Sequence, residues 1–272
     1  MTPALDIIIV NYNTADDLDA CLAALHASPP AALGRITVVD NASTDDSASR
    51  VATRWSSVRL IRLDRNVGFG AANNVALRQN GAPLVLLLNS DTAAPPGAID
   101  TLVDRLLATG AVAAGPRLID GDGRPEISFG AMLSPATELL QQCRGRLARS
   151  DARWARGYVA RLVSAERDVD WVSGACLLLR RDAAREAGLF DERYFMYEED
   201  VDLCAALRQR GGRILFTPRA AIVHRRGASV AHTGRPVSDL YDRSHLAFYE
   251  KHQPGWAPLL RFWLAVRGRR IR

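Results

Sequence analysis

Two acidic groups far apart in this sequence have the residue types for joint chemistry, provided the fold brings them together. Asn89-Ser90-Asp91 follows the apolar run at 84–88. A carboxylate just past a buried strand can hold Mg²⁺ or Mn²⁺ against a diphosphate, because hard cations take oxygen ligands. The same tripeptide also suits a plain turn or a helix N-cap. Glu198, Glu199 and Asp200 are consecutive acids opening a helical pattern over 201–210, and Tyr194, Phe195, Met196 and Tyr197 precede them. Acids favour the first turn of a helix through its macrodipole. Drawn out of bulk water by aromatic neighbours, such a carboxylate also gains a raised pKa and can take the proton of a hydroxyl. His224 ends the short run 221–223 and is followed by Arg225-Arg226-Gly227. Its imidazole could join the same cation and the arginines could contact phosphate, or the histidine could be structural.

Two further blocks have a similar double reading. Asp40, after the run 36–39, can accept a hydrogen bond from a base imide or a ribose hydroxyl, while Ser43-Thr44-Asp45 can cap the following helix. That helix's N-terminus would favour a nearby anion. Gly68-Phe69-Gly70-Ala71-Ala72-Asn73-Asn74 opens a helix with small residues that let a ligand approach the backbone. It is not a dinucleotide fingerprint, which belongs after the first strand, where this chain has Asn11-Tyr12-Asn13. No Walker G-x-x-x-x-G-K-[ST] occurs either.

The hydrophobic pattern supplies a scaffold for these groups. Apolar runs at 5–10, 36–39, 58–63 and 84–88 read as strands, and helical patterns fit around 18–25, 47–54 and 70–80. Asp16 or Asp17 can cap the first helix. Near-continuous apolar strands alternating with helices argue for an α/β fold, a parallel sheet covered on both faces. Such sheets bind ligands at the carboxyl ends of their strands. Each of the four strands ends in a polar block, so the four ends read as one rim. Past 110 the alternation weakens. Strands are expected at 112–115, at 171–179 with Gly174 inside it, and at 214–216 and 221–223, and 135–168 reads as an arginine-rich flap.

Composition narrows the classes. A chain of 272 residues, 48% hydrophobic and 24% charged, is globular and can bury a core without disulfides. Cys21, Cys143, Cys176 and Cys204 have no zinc spacing and read as free thiols of a reducing compartment. No leader is expected, since Asp6 interrupts the first apolar run, and no run of 18 apolar residues could span a bilayer. The net charge of +5 lies in the tail: 261–272 holds five arginines and no acid, leaving 30 basic against 30 acidic residues before it. The body therefore has no excess positive charge to favour nucleic acid. The tail joins the apolar stretch 256–266 to Arg267, Arg269, Arg270 and Arg272. Residues 255–272 suit either an anionic membrane surface or a terminal helix packed on the body.

With these residues in view, the chain resembles the family 2 glycosyltransferases of the GT-A fold, and within them the branch that includes rhamnosyltransferases. The markers run through 5–228 in the family's order: IIIVNYN, VVDNAST, RNVGFGAANN, LLLNSDT, WVSGACLLLRR, GLFDERYFMYEEDVDLC and IVHRRGAS. The resemblance implies a mostly parallel central sheet with helices on both faces. It implies a catalytic domain at 1–228, with its nucleotide part at about 1–120 and its acceptor part at about 121–228, and a basic helical extension at 229–272. It places Asn11, Tyr12 and Asp40 on the nucleoside and Asn66 and Gly68 near the nucleoside or donor sugar. Asp91 would bind Mg²⁺ or Mn²⁺ on the diphosphate, with Asn89 beside it and His224 as a further metal ligand. Glu199-Asp200 matches the family's acid pair, with Asp200 the catalytic base, and Trp171 and Gly174 would line the acceptor side. Many relatives have Asp-x-Asp where this chain has Asn89 and Asp91, one negative charge fewer. The implied partners are a dTDP- or UDP-linked sugar donor and a glycan or lipid-linked acceptor, at the cytoplasmic face of the membrane. The alternatives are a non-catalytic nucleotide-sugar-binding scaffold and a sugar-nucleotide pyrophosphorylase. The latter needs a lysine-rich loop after the first strand, and the only lysine here is Lys251.

Overall fold

The structure, a computed structural model, describes residues 2–79, 81–225, 237–267 and 269. The first strand, β1 (Leu5–Asn11), is buried along its whole length and pairs in parallel with β2 (Leu33–Asp40) and with β4 (Leu84–Asn89). Between them the chain forms α1 (Ala15–Ala27), α2 (Ser47–Arg54), β3 (Arg59–Arg62) and α3 (Phe69–Leu77). The parallel pairing requires these crossovers, and β1 shows why both faces must be covered. Leu5, Ile7 and Ile9 pack against α1, whose Leu18, Cys21, Leu22 and Leu25 form its buried stripe. Ile8 and Val10 point the other way, towards Ala72, Ala76 and Leu77 of α3.

The chain continues through β5 (Thr92–Ala93), α4 (Ala98–Thr109), β6 (Ala113–Ile119), β7 (Phe129–Gly130), α5 (Pro135–Ala148) and α6 (Arg153–Leu162). Then follow β8 (Arg167–Val169), β9 (Trp171–Val172), β10 (Cys176–Arg180), α7 (Arg181–Glu186), α8 (Glu199–Gln209) and β11 (Ile214–His224). The last helices are α9 (Val237–His252) and α10 (Ala257–Val266). Among the described residues the main sheet has nine strands in the order β3-β2-β1-β4-β10-β6-β11-β5, with β8 on β11. It is mostly parallel; β10, β5 and β8 run against their neighbours.

Several expected boundaries differ. The strand expected over 171–179 is two strands: β9 pairs with β7 in a small second sheet, and β10 joins the main sheet. The chain breaks at Gly174, whose N–H leaves both ladders to bond a side chain of α8. The strands expected at 214–216 and 221–223 are one strand, β11, whose register shifts between Thr217 and Ala221. Pro218 lies in that shift, where its missing N–H costs no ladder bond. Thr14, not Asp16 or Asp17, precedes α1, and the two acids sit in its first turn. At α2 the Asp45 carboxylate takes the Ser47 N–H at 3.1 Å, whereas Ser43 turns to the β1 loop. The helix expected over 70–80 runs over α3 instead, and Asn80 lies outside the described residues.

Candidate active site

The carboxyl ends of β1, β2 and β4 are joined by a buried hydrogen-bond web. Asn11 is fully buried; its amide donates to Asp40 Oδ1 at 3.2 Å and to Ser43 Oγ at 3.0 Å. Its carbonyl oxygen accepts from Thr14 Oγ1 at 2.6 Å, and Thr14 meets Ser90 Oγ at 2.8 Å. Asn41 extends the web: its oxygen takes the Val67 N–H at 2.9 Å, and its amide donates to Asn66 Oδ1 at 2.9 Å. Asn66 Oδ1 also accepts the N–H of Gly68, a residue at φ 92° that only glycine adopts readily.

In front of this web lies a cleft of about 740 Å³ whose walls include Tyr12, Asn66, Asn89, Asp91, Gly174, Glu199, Asp200 and His224. The two acidic groups therefore share one cavity. Asn11, Asp40 and Gly68 stand behind its wall rather than on it, and Trp171 lines an adjoining cavity. Among the described residues no lysine or arginine lines the cleft. Arg225 sits 3.8 Å from Asp17, and Arg226 and Gly227 lie outside the described residues.

On one side β11 delivers His224 opposite Thr92 of β5, beside Asp91. His224 Nε2 is 3.3 Å from Asp91 Oδ1, and Nδ1 is 3.3 Å from Glu126 Oε2. Burial opposes the charged imidazole, but the bonds to Asp91 and Glu126 prevail and raise its pKa to about 9. The Asn89 amide lies 3.5 Å from the same Nε2. Among the described residues no group of three or more acidic, histidine or cysteine side chains could hold an ion alone. Asp91 and His224 are the two side chains here whose donor atoms could form part of a Mg²⁺ or Mn²⁺ site. Glu126 behind the ring is the kind of carboxylate that orients a metal-binding imidazole.

On the other side Tyr197 and Glu198, at φ 72° and 63°, turn the chain sharply into α8. Two successive non-glycine residues in the left-handed region store strain that the surroundings must hold. Phe195 O accepts the Phe69 N–H at 3.0 Å, and Met196 O accepts Ser244 Oγ at 2.7 Å. The turn presents Asp200, whose Oδ2 accepts the Gly174 N–H at 2.7 Å and whose Oδ1 accepts that of Val201 at 2.8 Å. Burial raises the Asp200 pKa to about 6 against the pull of the Gly174 N–H, with the Glu198 charge adding to the rise. Glu199 is pushed further, by burial and by Asp200, well above the usual carboxylate range. Both acids are thus held above the usual carboxylate range, chiefly by burial.

A doubly covered, mostly parallel sheet with this cleft at its strand ends places the protein in the GT-A class of nucleotide-sugar transferase folds. Solved structures agree on the fold. One is GalNAc-T7 with UDP, GalNAc and Mn²⁺, at TM-score 0.66 and 16% identity over 91% of this chain and 48% of that one. Another is the mannosyltransferase PcManGT of Pyrobaculum calidifontis with GDP-Man and Mn²⁺, at TM-score 0.58 and 18% identity over 98% and 76%. The family model for Glycosyl transferase family 2 matches residues 6–188, and the chain belongs to that family. It is 34% identical, over 98% of its length and 92% of the relative's, to the N-acetylglucosaminyl-diphospho-decaprenol L-rhamnosyltransferase of Mycobacterium tuberculosis. It is 26% identical, over 88% of its length and 19% of the relative's, to the O-antigen biosynthesis protein RfbC of Myxococcus xanthus.

Sequence reasoning missed Asn41, Glu126 and Ser173, the last on the cleft wall. Asn41 had a signal, the first residue past β2; Glu126, in a turn-rich stretch, had none. Because Asn11 ties three strand ends, Asn11→Ala should leave Asp40 and Thr14 short of buried partners. The expected cost is about 1–3 kcal/mol, read as a lower urea midpoint at unchanged slope; an unchanged midpoint would remove Asn11 from the web.

Proposed function

We propose that the protein is an inverting, metal-dependent glycosyltransferase that moves a sugar from a nucleotide-diphosphate donor to a hydroxyl of a lipid-linked glycan. The observation that carries the reading is the shared cleft, with Asp91 and His224 at one wall and the paired acids Glu199 and Asp200 at another. We take the donor to be dTDP-linked; rhamnose as the sugar moved, and an N-acetylglucosamine-bearing polyprenyl diphosphate as acceptor, are supported by the mycobacterial relative's name. Tyr12 and Asn66, on the cleft wall, are suited to the nucleoside.

Asp200 takes the proton of the acceptor hydroxyl as that oxygen bonds to the anomeric carbon. The bond from that carbon to the diphosphate breaks, its electron pair leaving with the diphosphate, and the single displacement inverts the centre. A divalent cation held by Asp91 and His224 would neutralise charge on the departing diphosphate. The Gly174 and Val201 N–H groups hold the base in place and favour its ionised form.

We also assign the exposed face of α10 to an anionic bilayer surface. Ala257 and Leu264 are buried against the body, while Leu259, Phe262, Trp263 and Val266 are exposed. Arg261, Arg267 and Arg269 flank that face, whereas Arg270 and Arg272 lie outside the described residues. Among the described residues no helix is long and apolar enough to cross a membrane. An apolar face edged by cations matches an interfacial helix.

Asp200→Asn is expected to lose roughly 10²–10⁴ in kcat while keeping donor affinity. For the wild type, kcat/KM should fall about tenfold per pH unit below the base's pKa of about 6, because the proton-accepting form disappears. Near-normal turnover by the variant would dismiss Asp200 as base. Thermal shifts with nucleotide diphosphates should be larger with Mn²⁺ than with EDTA, and Asp91→Ala should erase that difference; an equal shift in all cases would exclude a metal at Asp91. Sedimentation with phosphatidylglycerol vesicles should pull down the full chain, and Phe262→Glu should abolish it at low salt; equal sedimentation of both would refute the membrane assignment.

A further inference from the structure

One turn of α9 grips the segment that presents Asp200. Tyr241, Ser244 and His245 lie three and four residues apart, on one face of the helix. Each holds a different residue of the turn before α8. Ser244 Oγ donates to Met196 O at 2.7 Å. The Tyr241 ring meets Tyr197 edge-on at 5.9 Å, and His245 Nδ1 lies 3.2 Å from Glu198 Oε1. We propose that His245 is a positioning residue for sugar transfer: it holds this turn and cancels the charge of Glu198 beside the base. The proposal rests on the transferase reading and goes beyond it by assigning a residue that acts on Asp200 through Glu198.

The turn needs such a partner. Tyr197 and Glu198, at φ 72° and 63°, keep a left-handed backbone that persists only where the surroundings fix it. Glu198 is also buried. A carboxylate out of water is costly unless a cation or hydrogen-bond donors meet it, and buried His245 supplies both. Its imidazole spans two carboxylates, since Nε2 lies 3.1 Å from Glu138 Oε2 of α5. Both ring nitrogens donate only when the ring is charged. Burial opposes that form, but the bonds to Glu138 and Glu198 prevail and raise its pKa to about 9. The ring therefore keeps its charge at neutral pH.

The other titratable groups around the ring are Tyr241, stacked on it at 5.2 Å, and Tyr249, whose hydroxyl donates to Glu138. Those facing Asp200 are Glu198, Glu199 and the buried Cys204 thiol. Glu138, Glu198 and Asp200 all line the smaller cavity of about 280 Å³ that adjoins the cleft. No lysine or arginine lines it among the described residues, so His245 supplies the counter-charge. The link to the base is electrostatic. The Glu198 charge favours protonated Asp200 and so works against a proton acceptor. An imidazolium paired with Glu198 offsets that effect.

The helix is anchored well enough to serve as a template. Further along it Lys251 and His252 meet Asp202 of α8 at 2.8 and 2.6 Å. Phe248 and Tyr249 pack in one cluster with Tyr194 and Val201, which stand on either side of the turn. All of α9 lies beyond the span 6–188 that the family model matches, so family membership does not by itself assign His245.

The test follows the Asp200 carboxyl directly, by ¹³C NMR of the full chain labelled at its aspartate carboxyls. The Asp200 resonance is the one that Asp200→Asn removes. His245→Gln should raise its titration midpoint by about 0.5–1 pH unit, less than the roughly 1–3 that a charge in direct contact causes. Glu198→Gln should lower the midpoint, and adding it to His245→Gln should cancel the rise. The acid limb of kcat/KM, read with dTDP-rhamnose and octyl β-N-acetylglucosaminide, should move with the midpoint while donor KM stays within about twofold. A histidine that only props up the fold would lower the urea midpoint with no such movement. Should His245→Gln fail to fold by circular dichroism, Glu198→Gln alone decides. A titration midpoint that stays put in the folded variants, or a rise that Glu198→Gln does not cancel, overturns the proposal. A midpoint that moves while the acid limb does not overturns instead the assignment of Asp200 as base.

Discussion

A single backbone N–H, that of Gly174, reaches the Asp200 carboxylate at 2.7 Å, and much of the site depends on that contact. It forces the chain to leave the ladder between β9 and β10, so one segment serves two sheets. The approach is close: a Cβ at Gly174 would sit 3.2 Å from Phe69 and 3.4 Å from Asp200 itself. The contact also sets the acid pair apart in hydrogen bonding. Asp200 has two backbone donors to stabilise its ionised form, whereas Glu199 Oε2, equally deep, has none among the described residues. Burial raises both carboxyl groups, and the Gly174 and Val201 N–H groups counter that rise at Asp200.

The opposite wall balances charge in another way. His224 lies between Asp91 and Glu126, one imidazole against two carboxylates. A third carboxylate at position 89 would crowd more negative charge around that ring. Asn89 avoids this repulsion while still offering an amide 3.5 Å from Nε2. The replacement of Asp-x-Asp by Asn-x-Asp is therefore consistent with a site whose second carboxylate, Glu126, arrives from a distant loop.

How much of this was legible follows from the range of each interaction. β1, β2 and β4 were readable because strands buried on both faces leave continuous apolar runs, and the rim at their ends followed from parallel topology. The GT-A architecture and the family were legible from the ordered motifs. The break at Gly174 was not, because it answers to a carboxylate 26 residues later. Joining 214–216 to 221–223 was hidden by Pro218, which punctuates the sequence but is absorbed by a register shift. Glu126 and His245 were invisible for the same reason. Each acts across 98 or 47 residues on a partner that no local pattern predicts. Asn11 and Asp40 were read as facing a ligand, yet the fold holds them behind the cleft wall as fasteners of the rim.

A donor carrying two phosphates and an acceptor hydroxyl must meet at one carbon, yet their electrostatic demands oppose each other. The larger cleft has Asp91 and His224 together at one wall. The smaller cavity is acidic and aromatic, with its counter-charge placed behind Glu138 and Glu198 rather than inside. Glu199 and Asp200 line both spaces. On the transferase reading, such a division would keep an acceptor's diphosphate away from the donor's, because acidic walls repel it. The C-terminal helices extend the same logic outward. Leu260 of α10 and Phe248 and Tyr249 of α9 pack in one cluster with Leu133, itself part of the smaller cavity's wall. The apolar, arginine-edged face of α10 is thereby anchored beside the acceptor side, where a lipid-borne sugar would need to be handed from a bilayer surface to the base.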